Sequence, residues 1–138
     1  DGFNIFMDES KGDCFHCHGS ENNPLWTDNK FHNNGLDSNI TDLGLGGISG
    51  DPSDDGKFKS PSLRNLIFTA PYMHDGSLAS LEDVINFYNS GGREHPNKDP
   101  RVVSLGLSAD EQADLLAFLT TLTDWNFVQN TNFLPLSP

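Results

Sequence analysis

One stretch, Cys14-Phe15-His16-Cys17-His18, constrains this chain more than any other, because two cysteines two residues apart followed by a histidine form the attachment motif of a c-type haem. The two thiols add to the two vinyl groups of the haem and hold it by thioether bonds. The imidazole of His18 then lies next to the ring, where it can bind the iron as the proximal ligand. Its second ring N–H needs an acceptor, and the region of Pro24 is one nearby source of a backbone carbonyl.

Two other interpretations of the motif fit the sequence less well. A thioredoxin-like dithiol would belong to a βαβ pattern, and none precedes Cys14. A zinc site would need a second pair of ligands at comparable spacing, whereas the remaining histidines, His32, His74 and His95, stand singly. The sequence therefore predicts one covalent haem c, which uses both cysteines of the chain.

The length of 138 residues suits a single mono-haem domain over residues 1–138, with an irregular tail over 124–138. Hydrophobic residues make up 35% of the sequence, which is low for a core that must stand alone, so a buried haem would supply the missing apolar mass. Attachment of c-type haem takes place outside the bacterial cytoplasm. We therefore expect an exported, periplasmic protein.

The charge balance restricts the possible partners. The formal net charge is −12, from 8 basic and 20 acidic residues, which disfavours nucleic-acid binding because phosphate neutralisation needs a basic surface. A basic redox partner protein is compatible with this charge. No apolar run approaches the ~20 residues that cross a bilayer, so we expect no membrane span.

Periodicity and capping signals predict four helices. They are expected over Asp1–Ser10, from Ser60-Pro61 onward, over Ser80–Asn89 and over Ser108–Thr121. Arg64 lies among the apolar residues of the second helix, where a half-buried guanidinium needs an anion, and a haem propionate is the natural one.

Between the motif and Lys57 the chain is rich in Asn, Asp and Gly, which predicts a long loop. A loop of this length in a compact domain usually has a function or encloses something, and here we expect it to wrap the haem edge. Its expected apolar contacts are Leu25, Trp26, Phe31, Leu36 and Ile48.

Three stretches together carry a family resemblance: CFHCH, the run FKSPSLRNLIFTAPYMHDGSLASLEDVINFYNSGG and the ending LGLSADEQADLLAFLTTLT. They resemble the C-terminal haem domain of bacterial di-haem cytochrome c peroxidases and MauG-type enzymes. The resemblance implies an all-α, class I cytochrome c-like fold. It also implies that this domain takes electrons from a donor and passes them to a second haem, where peroxide is reduced.

This sequence holds one attachment motif where the family carries two, so two interpretations stay open. The chain is either a mono-haem electron-transfer domain or one part of a di-haem peroxidase or MauG-type oxidising enzyme. In the second case its partner would be another haem domain of the same enzyme. Whether the chain itself is an enzyme stays open.

The sixth ligand of the iron distinguishes these chemistries. Met73 lies in a loop, at a separation from His18 that suits the methionine ligand of a class I cytochrome c, and a thioether raises the haem potential. The resemblance favours Tyr88. Twelve residues beyond the glycine that matches Gly76, peroxidases carry a methionine ligand and MauG-type relatives a tyrosine ligand, and that position is Tyr88. An open iron, or ligation by His74, is the third alternative.

The resemblance extends to two further places. Gly2 and Phe6 match the glycine and aromatic residue with which the first helix of these domains contacts the last helix. Thr69 and Pro71 match a T-x-P segment whose backbone carbonyls hold a calcium ion between the two haem domains of the family.

Overall fold

The computed structural model describes residues 1–133. Helices and a small sheet alternate with long connections. The helices are α1 (Gly2–Met7), α2 (Phe15–His18), α3 (Gly46–Ser49), α4 (Leu81–Ser90), α5 (Ala109–Thr121) and α6 (Trp125–Val128). Short 3₁₀ turns occur at Pro52–Asp54, Leu66–Phe68 and Thr131–Phe133.

The prediction of an all-α chain is correct only in part, because a two-stranded sheet accompanies the helices. Strand β1 (Phe31–His32) pairs antiparallel with β2 (Phe58–Lys59), so that Phe31 lies opposite Lys59 and His32 opposite Phe58. The sheet ties the long connection after the motif to the segment that precedes α4.

The crossing of α1 and α5 organises the core. Gly2 lies against the backbone of Asp114, and a Cβ atom there would overlap the Asp114 carbonyl oxygen. The rings of Phe6 and Phe118 meet with centroids 5.3 Å apart. The expected contact of Gly2 and Phe6 is therefore confirmed with α5, which is the last of the four predicted helices. The buried cluster around it contains Ile5, Phe6, Trp26, Leu66, Leu81, Ile85, Leu107, Leu115, Leu119 and Leu122.

Both longer helices begin where the sequence predicts. The Ser80 hydroxyl accepts a hydrogen bond from the Asp83 N–H, and the Ser80 N–H donates one to the Asp83 carboxylate in return. Ser108 and Glu111 form the same reciprocal pair at the start of α5. Such reciprocal pairs satisfy backbone N–H groups that have no partner inside the helix. Gly91, in the left-handed conformation at φ 88°, ends α4.

The predicted helix from Ser60-Pro61 is wrong. Residues 60–63 form no helix, and the first helical turn of this region is the 3₁₀ turn Leu66–Phe68. The Ser60 hydroxyl donates to the Cys17 carbonyl at 2.9 Å instead of capping a helix. Contact with the motif therefore outweighs the local preference of the Ser-Pro pair.

Of the apolar contacts expected in the long loop, two are buried and three are not. Trp26 and Leu36 are 6% and 7% exposed, whereas Leu25, Phe31 and Ile48 are largely solvent-exposed. In the tail, Trp125 packs edge-on against Phe68 at 5.6 Å. Residues 134–138 of the predicted tail lie outside the described part. None of the helices within residues 1–133 is long and apolar enough to cross a membrane.

Candidate haem centre

A single helical turn presents both cysteines of the motif. Cys14 is the N-cap of α2, and its carbonyl accepts hydrogen bonds from the Cys17 N–H at 3.3 Å and the His18 N–H at 3.0 Å. Both thiols are free and half-buried. The Cys14 N–H donates to the Phe6 carbonyl at 3.1 Å, so the motif is fixed directly to α1.

The imidazole of His18 is held in the state that a metal ligand requires. Its Nδ1 atom lies 3.3 Å from the carbonyl oxygen of Pro61. Donation of Nδ1–H to that oxygen leaves the lone pair of Nε2 free. Burial lowers the pKa of His18 to about 4, so the ring is neutral at neutral pH. The carbonyl that Nδ1 contacts is thus that of Pro61 and not one from the region of Pro24, which the sequence offered as one source.

The two candidate distal ligands lie beside one side chain that the sequence did not single out. The Asn34 Nδ2 atom is 3.4 Å from the Met73 Sδ atom and 3.3 Å from the Tyr88 hydroxyl. Burial raises the pKa of Tyr88 above its usual value, and the thiols of Cys14 and Cys17 act in the same direction.

Three known proteins are similar to this chain over most of its length. The chain is 39% identical over 89% of its length to cytochrome-c peroxidase IdrP2 of Denitromonas iodatirespirans, and 39% identical over 88% to the methylamine utilization protein MauG of Methylophilus methylotrophus. A crystal structure of a MauG-like protein associated with microbial copper homeostasis is 40% identical and superposes with a TM-score of 0.87 over 96% of the chain. The chain belongs to the cytochrome c peroxidase and MauG family.

The chain spans about two-fifths of the length of these relatives. It covers 39% of IdrP2, 35% of MauG and 45% of the MauG-like crystal structure. The diheme peroxidase BthA of Burkholderia thailandensis, at 24% identity and a TM-score of 0.71, shares the fold. No protein-family model matches the chain.

The residues of the motif fit the haem c that this family implies. Cys14, His18 and Tyr88 lie deep in the chain, yet each keeps part of its surface uncovered by protein. A haem held by these residues would cover that surface. Burial is the main cause that raises the pKa of the Cys14 thiol to about 12, and the charge of Asp13 acts in the same direction, so this sulfur lies in a buried setting that suits a thioether.

Arg64 lies on the surface rather than half-buried among apolar residues. Its Nε atom donates to the Pro24 carbonyl at 2.7 Å, and within residues 1–133 no carboxylate pairs with its guanidinium. This hydrogen bond orients the side chain beside the loop that follows the motif. A propionate as its anion stays a prediction.

Two other predicted positions lie near this region. The ring of His74 stacks on Phe58 with centroids 3.7 Å apart and 10° between the planes. The Thr69 hydroxyl donates to the Leu66 carbonyl at 2.9 Å, and both Thr69 and Pro71 are exposed. Ligation of iron by His74 and of calcium at Thr69 and Pro71 stay predictions.

One polar cluster beside the motif was missed entirely. Neither periodicity nor a motif indicates a role for His32. In the structure its two ring nitrogens lie 2.8 Å from the carboxylates of Asp28 and Asp99. One nitrogen of His32, one oxygen of Asp99 and the sulfur of Cys17 all lie within 4.8 Å of one another. The only sequence signal was a single histidine, which is too common to indicate a site.

Proposed function

We propose that this chain is a c-type haem domain that transfers single electrons. The observation that carries the proposal is the neutral imidazole of His18, fixed by the Pro61 carbonyl at 3.3 Å beside two free thiols on one helical turn. Cys14 and Cys17 would anchor one haem, and His18 would bind its iron. The iron of such a haem cycles between the ferric and ferrous states and so accepts and releases one electron.

The chain's own residues would orient this group and exclude water from it. Trp26 and Leu36 come from the long connection after the motif and are buried, which supports a loop that wraps the haem edge. Arg64, oriented by the Pro24 carbonyl, would neutralise a propionate. An acidic chain of net charge −12 favours a basic electron donor or acceptor, and c-type attachment favours a periplasmic location.

Tyr88 is our candidate for the distal ligand. It lies on α4, where packing fixes its position, and the amide of Asn34 lies 3.3 Å from its hydroxyl. Burial keeps the phenol protonated without a cation, and the charge of a ferric ion would favour the phenolate. An anionic oxygen ligand stabilises the ferric state and lowers the potential, whereas Met73 would raise it.

Electron paramagnetic resonance and near-infrared spectra of the oxidised protein test this assignment. We expect a tyrosinate–iron signature that disappears in Tyr88→Phe and survives in Met73→Ala. Tyr72→Phe is the matched control, because the Tyr72 hydroxyl is already bonded to the Leu66 carbonyl at 2.9 Å. A methionine–iron signature that disappears in Met73→Ala would overturn the Tyr88 assignment and indicate a higher-potential carrier.

A second function is favoured by the relatives. IdrP2 is named a cytochrome-c peroxidase and MauG a methylamine utilization protein, and the chain spans about two-fifths of each. In this alternative the chain supplies one haem of a larger peroxidase or MauG-type enzyme and exchanges electrons with a second haem domain. Turnover of hydrogen peroxide by the chain alone would contradict the proposal that it only transfers electrons.

A further inference from the structure

The cluster of Asp28, His32 and Asp99, here called the acid–histidine cluster, joins three segments beside the motif. Asp28 follows the motif loop, and its N–H donates to the Cys17 carbonyl at 2.9 Å. His32 lies on β1. Asp99 lies in the connection before α5, and its N–H donates to the Asn33 carbonyl at 2.8 Å. The imidazole of His32 therefore links Asp28, which is bonded to the motif, to Asp99 in the connection before α5.

The hydrogen-bond geometry fixes the charges of the cluster. Burial alone would raise the pKa values of Asp28 and Asp99, but hydrogen bonds from backbone N–H groups and from His32 outweigh it and hold both below the usual value. Ionised carboxylates can only accept hydrogen bonds, so both ring nitrogens of His32 must donate. Only the imidazolium does so, and the three side chains then carry one net negative charge.

This charge lies next to the sulfur atom of Cys17, which would anchor the haem. The Cys17 sulfur is within 4.8 Å of His32 and Asp99 atoms. Burial raises the pKa of the Cys17 thiol to about 11, and the charges of Asp99 and Asp28 contribute in the same direction. The carboxylates are 12–13% exposed and so are little screened by solvent. Arg101 lies 3.6 Å from Asp99, but its side chain is half-exposed.

We propose that the acid–histidine cluster positions the Cys17 edge of the haem and sets its redox potential through charges of opposite sign. The two carboxylates stabilise the ferric state, because its positive charge is larger than that of the ferrous state. The imidazolium of His32 opposes them and holds them in place. The inference rests on the proposed haem attachment and assigns no ligand or catalytic role to the cluster.

The sign of the change in midpoint potential tests the proposal. We expect Asp99→Asn and Asp28→Asn to raise the potential of the haem-loaded protein, because each removes a negative charge. His32→Gln should lower it, because it removes a positive charge. Asparagine retains the size of aspartate and one of its acceptor oxygens, so the bridge is weakened rather than deleted. The potentials are measured by spectroelectrochemical titration at one neutral pH and one ionic strength.

Asp114→Asn is the matched control, since Asp114 is an exposed carboxylate on α5 and its loss should leave the potential nearly unchanged. Shifts of the same sign in all three variants would indicate general loosening of the site and overturn the proposal. So would shifts no larger than that of the control. If His32→Gln does not fold, the two Asp→Asn variants still decide the sign of the carboxylate effect.

A failure of the proposed haem attachment can be told apart from a failure of the cluster proposal. It would appear as wild-type protein without the absorbance of a covalently bound haem. The cluster proposal fails only in protein that carries haem and whose potential does not follow the charges. The two failures are therefore distinguishable in the same set of samples.

Discussion

At the scale of single residues, Gly2 shows how closely α1 and α5 approach each other. A Cβ atom at this position would overlap the backbone oxygen of Asp114 and lie 2.8 Å from the Cβ of Phe118. Neither neighbour is the mobile end of a side chain, so the helices would have to separate to accommodate it. Because the Cys14 N–H bonds to the Phe6 carbonyl of the same helix, that separation would also disturb the motif.

We therefore expect Gly2→Ala to lower the free energy of unfolding by about 3 kcal/mol, at the upper end of the range for an overpacked core. Urea denaturation of the haem-loaded protein measures this. Gly47→Ala is the matched control, because Gly47 lies in α3 and the nearest atom to its added Cβ, in Leu43, is 3.6 Å away. That variant should stay within about 0.5 kcal/mol of wild type. Equal stability of the two variants would contradict the close approach.

The residues of the site differ in how far the sequence could predict them. Cys14, Cys17 and His18 are adjacent, so their chemistry is visible in the pattern. Pro61 and Asn34 act through contacts with residues far along the chain, and nothing local marks them. Sequence reasoning therefore found the groups that would bind the haem but not the groups that orient them.

At the scale of elements, local signals succeeded where the partner lies within one turn. The capping boxes of α4 and α5 each join residues three positions apart, and both formed as predicted. The Ser60-Pro61 signal is of the same local kind and failed. There the serine hydroxyl and the proline carbonyl contact Cys17 and His18, so distant partners compete with the helix for the same polar groups.

The start of α5 makes a prediction about pH. Glu111 accepts a hydrogen bond from the Lys11 ammonium at 2.6 Å and from the Ser108 N–H at 2.9 Å. The bond from Lys11, followed by those from Ser108, lowers the pKa of Glu111 to about 2 from an ordinary 4.5. A lowered pKa in the folded state stabilises the fold above the ordinary pKa, and this contribution is lost as the pH falls toward 2.

We expect Glu111→Gln to be less stable than wild type at pH 7, and the difference to shrink between pH 4.5 and about 2. Chemical denaturation of both proteins across this range measures it. Glu82→Gln is the control, because Glu82 is an exposed residue in the first turn of α4 and not a member of its capping box. A difference that does not change with pH would contradict the role of the Glu111 charge.

At the scale of the whole molecule, the chain has little apolar material for its length. Hydrophobic residues make up 35% of the sequence, and the described part joins its helices by long polar connections. The net charge of −12 adds repulsion among acidic groups in the folded state. The composition correctly indicated a small core, but it could not indicate that the core would gather at the crossing of α1 and α5.

A haem attached at Cys14 and Cys17 would add apolar surface to this core. We therefore expect the double variant Cys14→Ser/Cys17→Ser, which cannot form thioether bonds, to unfold at a lower temperature and less cooperatively than the haem-loaded wild type. Circular dichroism in the far and near ultraviolet measures both changes during thermal unfolding.

Each single variant, Cys14→Ser or Cys17→Ser, retains one thiol and serves as the matched control of intermediate stability. Near-ultraviolet signals report fixed packing of aromatic side chains, and the rings of Phe6, Trp26 and Phe118 lie 5.3–5.6 Å apart in the core beside the motif. Loss of that signal with retained far-ultraviolet signal would mean that the haem completes the packing of the α1–α5 crossing. If the double variant unfolds like the wild type, the small core is sufficient without haem, and the cofactor serves chemistry alone.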